Sequence, residues 1–208
     1  MARCPLCSER SAKRFCPAKD TEICAVCCGT HREIDIDCPS TCIHLKAGQL
    51  YESERKPVDA ALANRVQNFG QQFVQHYGPI LALLGQAVTE ERRVNSWLVD
   101  ADVAEVYKAL AATMKTLSSG IYYETLPEGP IRIALFRRLK LILDGLMEAK
   151  GQTRSLRVGE VLNILDFLML ALQLNSSGRP KSRRYLAWLA EASEVSQAPK
   201  ESSGLIIP

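Results

Sequence analysis

Little in this sequence is aromatic, little is histidine, and beyond Cys42 nothing is cysteine. Aromatic residues make up 6% of the 208 positions, while Leu and Ala are plentiful, a balance that favours helix over sheet. Only three histidines occur, and two of them lie in the first 45 residues; His76, beside Tyr77, is the one candidate base in the remainder. There is no Gly-x4-Gly-Lys phosphate loop, no Gly-x-Gly-x-x-Gly, no Gly-x-Ser-x-Gly elbow and no His-Glu-x-x-His. Taken together, these gaps point away from an enzyme. The formal net charge is only +3, so no global field demands a nucleic acid or a membrane as partner. The greasiest run, Val161 to Leu174, is interrupted by Asn163, Asp166 and Gln173 and is short for a bilayer core of ~30 Å. The opening Met1-Ala2-Arg3-Cys4-Pro5 has no apolar targeting stretch. The expectation is a soluble, cytoplasmic protein of a reducing compartment, where paired cysteines signify metal sooner than disulfide.

What the chain does have is a dense cysteine segment. All eight cysteines fall between positions 4 and 42, as Cys4-x2-Cys7, Cys16, Cys24-x2-Cys27-Cys28 and Cys38-x3-Cys42, with His31 and His44 among them. A stretch so short and polar cannot bury an apolar core, so a covalent or metallic staple must hold it. Zinc takes four soft or borderline donors in a tetrahedron, and a Cys-x2-Cys turn offers two thiolates to one ion without strain. Two ions need eight donors, and Cys and His together offer ten. A cluster filled by protein donors leaves no open position, which is the signature of structural rather than catalytic zinc. A thioredoxin-like role for Cys24-x2-Cys27 would need a βαβ setting that the flanking sequence lacks.

The order Cys4-x2-Cys7, Phe15-Cys16, Ile23-Cys24-x2-Cys27 resembles the cross-brace zinc fingers, the B-box type above all and the MYND and HIT types more loosely. The resemblance covers about the first fifth of the chain. Where a B-box carries an Asp or Cys ligand shortly after the third position, this chain has Lys19, with Asp20 one residue on, and Cys38 and Cys42 stand where histidines usually close the module. The cross-brace order implies that Cys4, Cys7, Cys24 and Cys27 share one ion. It implies a second ion on Cys16, His31, Cys38 and Cys42, with Asp20 in reserve; Cys28 could replace Cys27, and His44 could replace His31. Such modules mostly serve protein–protein contact and assembly, so the resemblance implies a non-enzymatic adaptor or scaffold with a protein partner or self-association.

The rest reads as helix. We expect a zinc module at 1–45, a linker at 46–57, an all-α bundle of five or six helices at 58–193 and a loose tail at 194–208. Val58, Leu62, Val66, Phe69, Phe73 and Tyr77 recur at helical spacing, and Gly78-Pro79 then reads as a break, with a second helix carrying Ile80, Leu81, Leu84 and Val88. Asp100 or Asp102 is placed to cap a third helix whose stripe is Val103, Val106, Leu110, Met114 and Leu117. Pro130 opens a fourth helix, with Leu135, Leu139, Ile142 and Leu146 inside and Arg132, Arg137, Arg138 and Lys140 as a solvated face. The stretch 158–174 is apolar nearly all round and should lie centrally. Pro180 opens the last helix, with Tyr185, Leu186, Trp188 and Leu189 facing in.

One feature of the bundle invites a ligand. Ser177, Arg179, Lys181, Arg183 and Arg184 put hydroxyls and four cations at a helix start, where a phosphate or an RNA backbone could bind. Arg3, Arg10, Lys13 and Arg14 add positive charge on the zinc module. This supplies the alternative reading, a nucleic-acid-associated factor, although no stacking aromatics interleave with those charges. A third reading makes Cys27 or Cys28 a spare, redox-responsive thiol.

Overall fold

The structure is a computed structural model, and it describes residues 2–55, 60–148 and 155–197. Among them, seven helices and a single two-stranded sheet make the protein mostly α.

The amino-terminal head is built on a hairpin. Strands β1 (Arg14–Cys16) and β2 (Thr21–Ile23) pair antiparallel with Cys16 opposite Thr21. The Lys19 N–H donates to the Cys16 carbonyl at 3.1 Å to close the turn, and Asp20 takes φ +49° there, a left-handed conformation that Asp tolerates better than most residues. Two helices follow, α1 (Ala25–His31) and α2 (Ile43–Arg55). The stretch expected as a linker is therefore largely helix α2; its end, 56–57, lies outside the described residues, as does Val58.

The bundle comprises α3 (Ala60–Val94), α4 (Asp100–Ser118), α5 (Pro130–Glu148), α6 (Val158–Asn175) and α7 (Arg184–Gln197). The break expected at Gly78-Pro79 falls instead at Gly70, which adopts φ +52° while the helix runs on through Pro79. Only glycine enters that region without steric cost, whereas a proline ring turned to solvent costs the helix one hydrogen bond. α4 and α6 pack face to face, flanked by α3, α5 and α7. Val103, Val106, Leu110 and Met114 of the expected α4 stripe are fully buried, and Tyr107 joins them with its hydroxyl 3.1 Å from that of Tyr185. In α5, Leu135 and Leu139 are buried as expected, accompanied by Phe136 and Leu143. Helix α6 is long and apolar enough to cross a membrane by composition, yet Val161, Ile164, Leu165, Leu168 and Leu172 sit in the bundle core. Its Phe167 packs edge-on against Phe69 and tilted against Phe73, centroids 5.4 and 5.3 Å apart, which gives the α3 aromatic stripe its partner.

Of the charges expected as a solvated face, Arg137 is exposed, while the other three are engaged. Arg132 donates to Asp102 at 2.7 Å, Arg138 bridges Glu90 and Glu91 at 3.0 and 3.1 Å, and Lys140 pairs with Glu124 and Asp144. Asp166 is ion-paired with Arg65 at 2.6 Å on an exposed edge. Trp188, expected inside, is partly exposed, while Tyr185, Leu186 and Leu189 are buried. The last helix starts at Arg184, four residues after Pro180. The side chains of 194–197 and all of 198–208, the expected tail, lie outside the described residues.

Candidate metal centre and its seat on the bundle

Cys4 and Cys7 flank a tight turn. The Ser8 N–H donates to the Cys4 carbonyl at 2.7 Å, and Ser8 takes φ +57° so that the chain can double back; the Cys4 N–H then meets the Arg10 carbonyl at 2.8 Å. The second pair comes from the start of α1. Cys24 stands at the N-cap with extended dihedrals, its sulfur accepts the Cys27 N–H at 3.3 Å, and Cys27 is carried one turn into the helix. The four sulfurs all lie within 4.8 Å of one another, and Cys4, Cys24 and Cys27 are buried. The set expected for the first ion is thus drawn together as a site that can hold one metal.

Its electrostatics suit a cation. Burial opposes ionising Cys4, but the backbone groups of Cys24, Leu6 and Cys7 around its sulfur outweigh burial and hold its pKa at about 6. The backbone at Arg10 and Glu9 lowers Cys7 likewise. Cys27 goes the other way, pushed up to about 12 by burial and then by hydrogen bonding to Cys24, Cys7 and Cys4. Without a cation Cys27 therefore keeps its proton. A metal that needs all four thiolates must displace it, so binding releases that proton.

The remaining predicted donors lie elsewhere in the head. Cys16 ends β1 and is buried; Cys28, Cys38 and Cys42 are half-buried. Cys16 belongs to the small buried cluster of the head, and Cys28 and Cys38 pack against that cluster. Burial raises the Cys38 thiol, and the neighbouring Cys42 and Cys16 add to the rise. His31 ends α1 with Nδ1 2.6 Å from an Asp35 carboxylate oxygen. Asp20 sits exposed in the hairpin turn, and His44 opens α2, half-buried. Among the described residues, no second set of three or more Cys, His or carboxylate donors is drawn together as closely as the first.

The candidate anion loop has a different job here. The Lys181 N–H donates to the Glu33 carbonyl and its Nζ to the Asp35 carbonyl, both at 2.8 Å. The Ser177 hydroxyl donates to the Glu33 carboxylate at 3.2 Å, Arg179 to Glu52 at 2.8 Å, and Arg183 grips both oxygens of Asp37. Three of the four cations are thus engaged by acceptors of the head and α2, and the loop is a latch that seats the head on the bundle. Arg184 faces a cleft between the two, with Ser40, Thr41 and Trp188. Asp37 carries a lowered pKa because Arg183 hydrogen-bonds it; Glu33, buried, is shifted up by desolvation despite Ser177 and Arg179.

Beneath the latch lies Asp100, one of the two carboxylates that the sequence offers as caps for α4. Asp102, not Asp100, caps α4, by accepting the Val99 N–H at 3.1 Å. Asp100 is buried and accepts from the Ser182 hydroxyl at 2.6 Å and from the Tyr185 and Leu186 N–H groups at 3.2 Å, so it caps α7 from another element. Ser182 in turn accepts from the Ser177 N–H at 3.3 Å. The latch and the core of the bundle therefore share one hydrogen-bond network. Only the Asp-Ala-Asp pair before an apolar stripe hinted at it, and nothing local assigned the two carboxylates to different helices. Comparison with protein-family models, with curated proteins and with solved structures returned no match.

Proposed function

We propose that the chain is a non-enzymatic adaptor or scaffold whose head folds around two zinc ions and is held on the helical bundle as a rigid contact surface. The observation that carries this reading is the four-sulfur set Cys4, Cys7, Cys24 and Cys27. An all-thiolate donor set selects zinc among the abundant divalent ions and leaves it no open coordination position, so the ion's work is to hold a shape. That shape presents apolar side chains to solvent. Leu6 is 42% exposed, Phe15 56% and Val26 51%, and two of these are the middle residues of the Cys-x2-Cys turns themselves. An apolar residue displayed on a metal-stapled turn is presented without the ordering cost that a free loop would carry on binding. The B-box-like order of ligands supports the same class of function. The nucleic-acid alternative is weakened, since Arg179, Lys181 and Arg183 are already engaged within the chain.

The test is partner capture by the intact chain, the Cys24→Ser chain and a Phe15→Ser, Val26→Ser chain that keeps its zinc. Adaptor function through the head predicts one stoichiometric protein partner, lost with both variants. A partner retained by both would place recognition elsewhere. Binding of nucleic acid that falls steeply with salt would favour the alternative.

A further inference from the structure

We propose that the second zinc ion is held by Cys16, Cys28, Cys38 and Cys42, and that His31 is not among its ligands. This rests on the two-ion reading above and replaces one donor in the set that the cross-brace order implies.

The first argument is an accounting of sulfur. The chain has eight cysteines, and four of them converge on the first site. The other four are all reduced, all in the head, and buried or half-buried. Cys28 and Cys38 pack against the small cluster that contains Cys16. Cys42 follows Cys38 around a turn closed by the Cys42 N–H on the Pro39 carbonyl at 3.0 Å. It immediately precedes α2, and its own carbonyl takes the Leu45 and Lys46 N–H groups at 3.1 Å. A thiolate at a helix start is stabilised by the unpaired N–H groups there. These sulfurs are less tightly drawn than the first four.

The second argument separates Cys28 from His31. Successive residues on a helix are turned by about 100°, so Cys28 faces a different side of α1 from Cys27, which serves the first ion. His31, four residues after Cys27 and three after Cys28, lies between the two, about 40° from the one and about 60° from the other, so its surroundings decide. Its ring is held by Asp35 at 2.6 Å, and the pair faces solvent, with side chains 39% and 67% exposed. A histidine oriented by a carboxylate is a common zinc ligand, but such a ligand turns its other nitrogen into a closed site. Here it stands at the rim.

The third argument is charge. Arg32 is only 8% exposed, and its Nε lacks a hydrogen-bond partner; no ion pair to it occurs among the described residues. Its guanidinium lies against Gly48 of α2, where any Cβ would collide with it. A buried guanidinium nitrogen left without a partner is costly. It sits between the end of α1 and α2, the elements that carry Cys28 and follow Cys42. A zinc with four thiolates has net charge −2, and one with three thiolates and a histidine −1. The all-cysteine site offers the stronger counter-charge.

The experiment is native mass spectrometry of the full chain with zinc, in the wild type and in Cys4→Ser, Cys28→Ser and His31→Ala, paired with alkylation mapping of the wild-type holo-protein. We expect two ions in the wild type and in His31→Ala, and one each in Cys4→Ser and Cys28→Ser. Cys28 of the wild type should be protected from alkylation until a chelator is added, a readout that needs no variant to fold. Two ions retained by Cys28→Ser, one lost by His31→Ala, or alkylation of Cys28 with both ions in place would overturn the assignment while leaving the two-ion reading intact. A single ion in the wild type, lost in Cys4→Ser, would overturn both.

Discussion

The head and the bundle are built around different interiors. The buried cluster of the head consists of Cys4, Cys16, Ile23, Cys24, Cys27 and Ile36, so most of its interior is sulfur. The bundle buries Leu84, Leu110, Met114, Phe136, Leu143, Ile164 and many others in one continuous core. Two isoleucines cannot supply the free energy to order some forty residues, whereas a structural zinc in a small finger contributes about 10–16 kcal/mol of coupled folding free energy at neutral pH. The bundle needs no such help. Its core residues each contribute through packing, and its edges are tied by ion pairs such as Arg138 with Glu90 and Glu91. On the proposed reading, the fold is metal-dependent in one part and metal-indifferent in the next, even with the parts hydrogen-bonded together.

Metal removal should break the comparison most sharply. Chelation under reducing conditions, or Cys24→Ser, should abolish ordered structure in the head and leave most of the helical circular dichroism, which comes from α3 to α7. The next largest effect belongs to the bundle alone. Leu110→Ala, at a fully buried α4 position, should cost about 2–5 kcal/mol in urea denaturation while bound zinc stays unchanged. Asp100→Ala lies between the regions. It removes a buried acceptor of three hydrogen bonds at the start of α7, and a loss of about 2–3 kcal/mol is expected, with weaker seating of the head seen as faster zinc transfer to a chelator.

The smallest effect should come from the latch ion pair. Arg183→Ala or Asp37→Asn should each cost about 1 kcal/mol, because the pair is only part-buried, and a double-mutant cycle should find the two strongly coupled. The pH dependence follows from the lowered Asp37 pKa. Its stabilisation is fully present above the ordinary carboxylate value of 3.8 and is lost as pH falls through the still lower folded value. From about pH 5 upward, the deficit of the Asp37→Asn variant relative to wild type should therefore be flat.

Parts of this contrast are legible in the residues themselves. Cys4-x2-Cys7 and Cys24-x2-Cys27 announce a shared site because a Cys-x2-Cys turn fixes its geometry locally, and the α4 stripe announces a helix because its period is local too. The latch is not legible in that way. Arg183 and Asp37 are 146 positions apart, and a basic loop read alone looks like an anion site because its acidic partners are out of view. Gly78-Pro79 reads as the break because proline is the louder punctuation, although it is φ +52° at Gly70 that interrupts α3. The start of α7, at Arg184 rather than Pro180, is hidden for a related reason. Its main cap is Asp100, a side chain from another helix, which nothing near Pro180 announces.

The most direct test of the central claim is a backbone amide correlation spectrum of the full reduced chain, recorded before and after zinc is stripped by a strong chelator. A metal-folded head on a self-sufficient bundle predicts that signals from 2–45 collapse into the unstructured region while those of α4 and α6 keep their dispersion. Head signals that stay dispersed with no zinc released, or a bundle that unfolds together with the head, would contradict it.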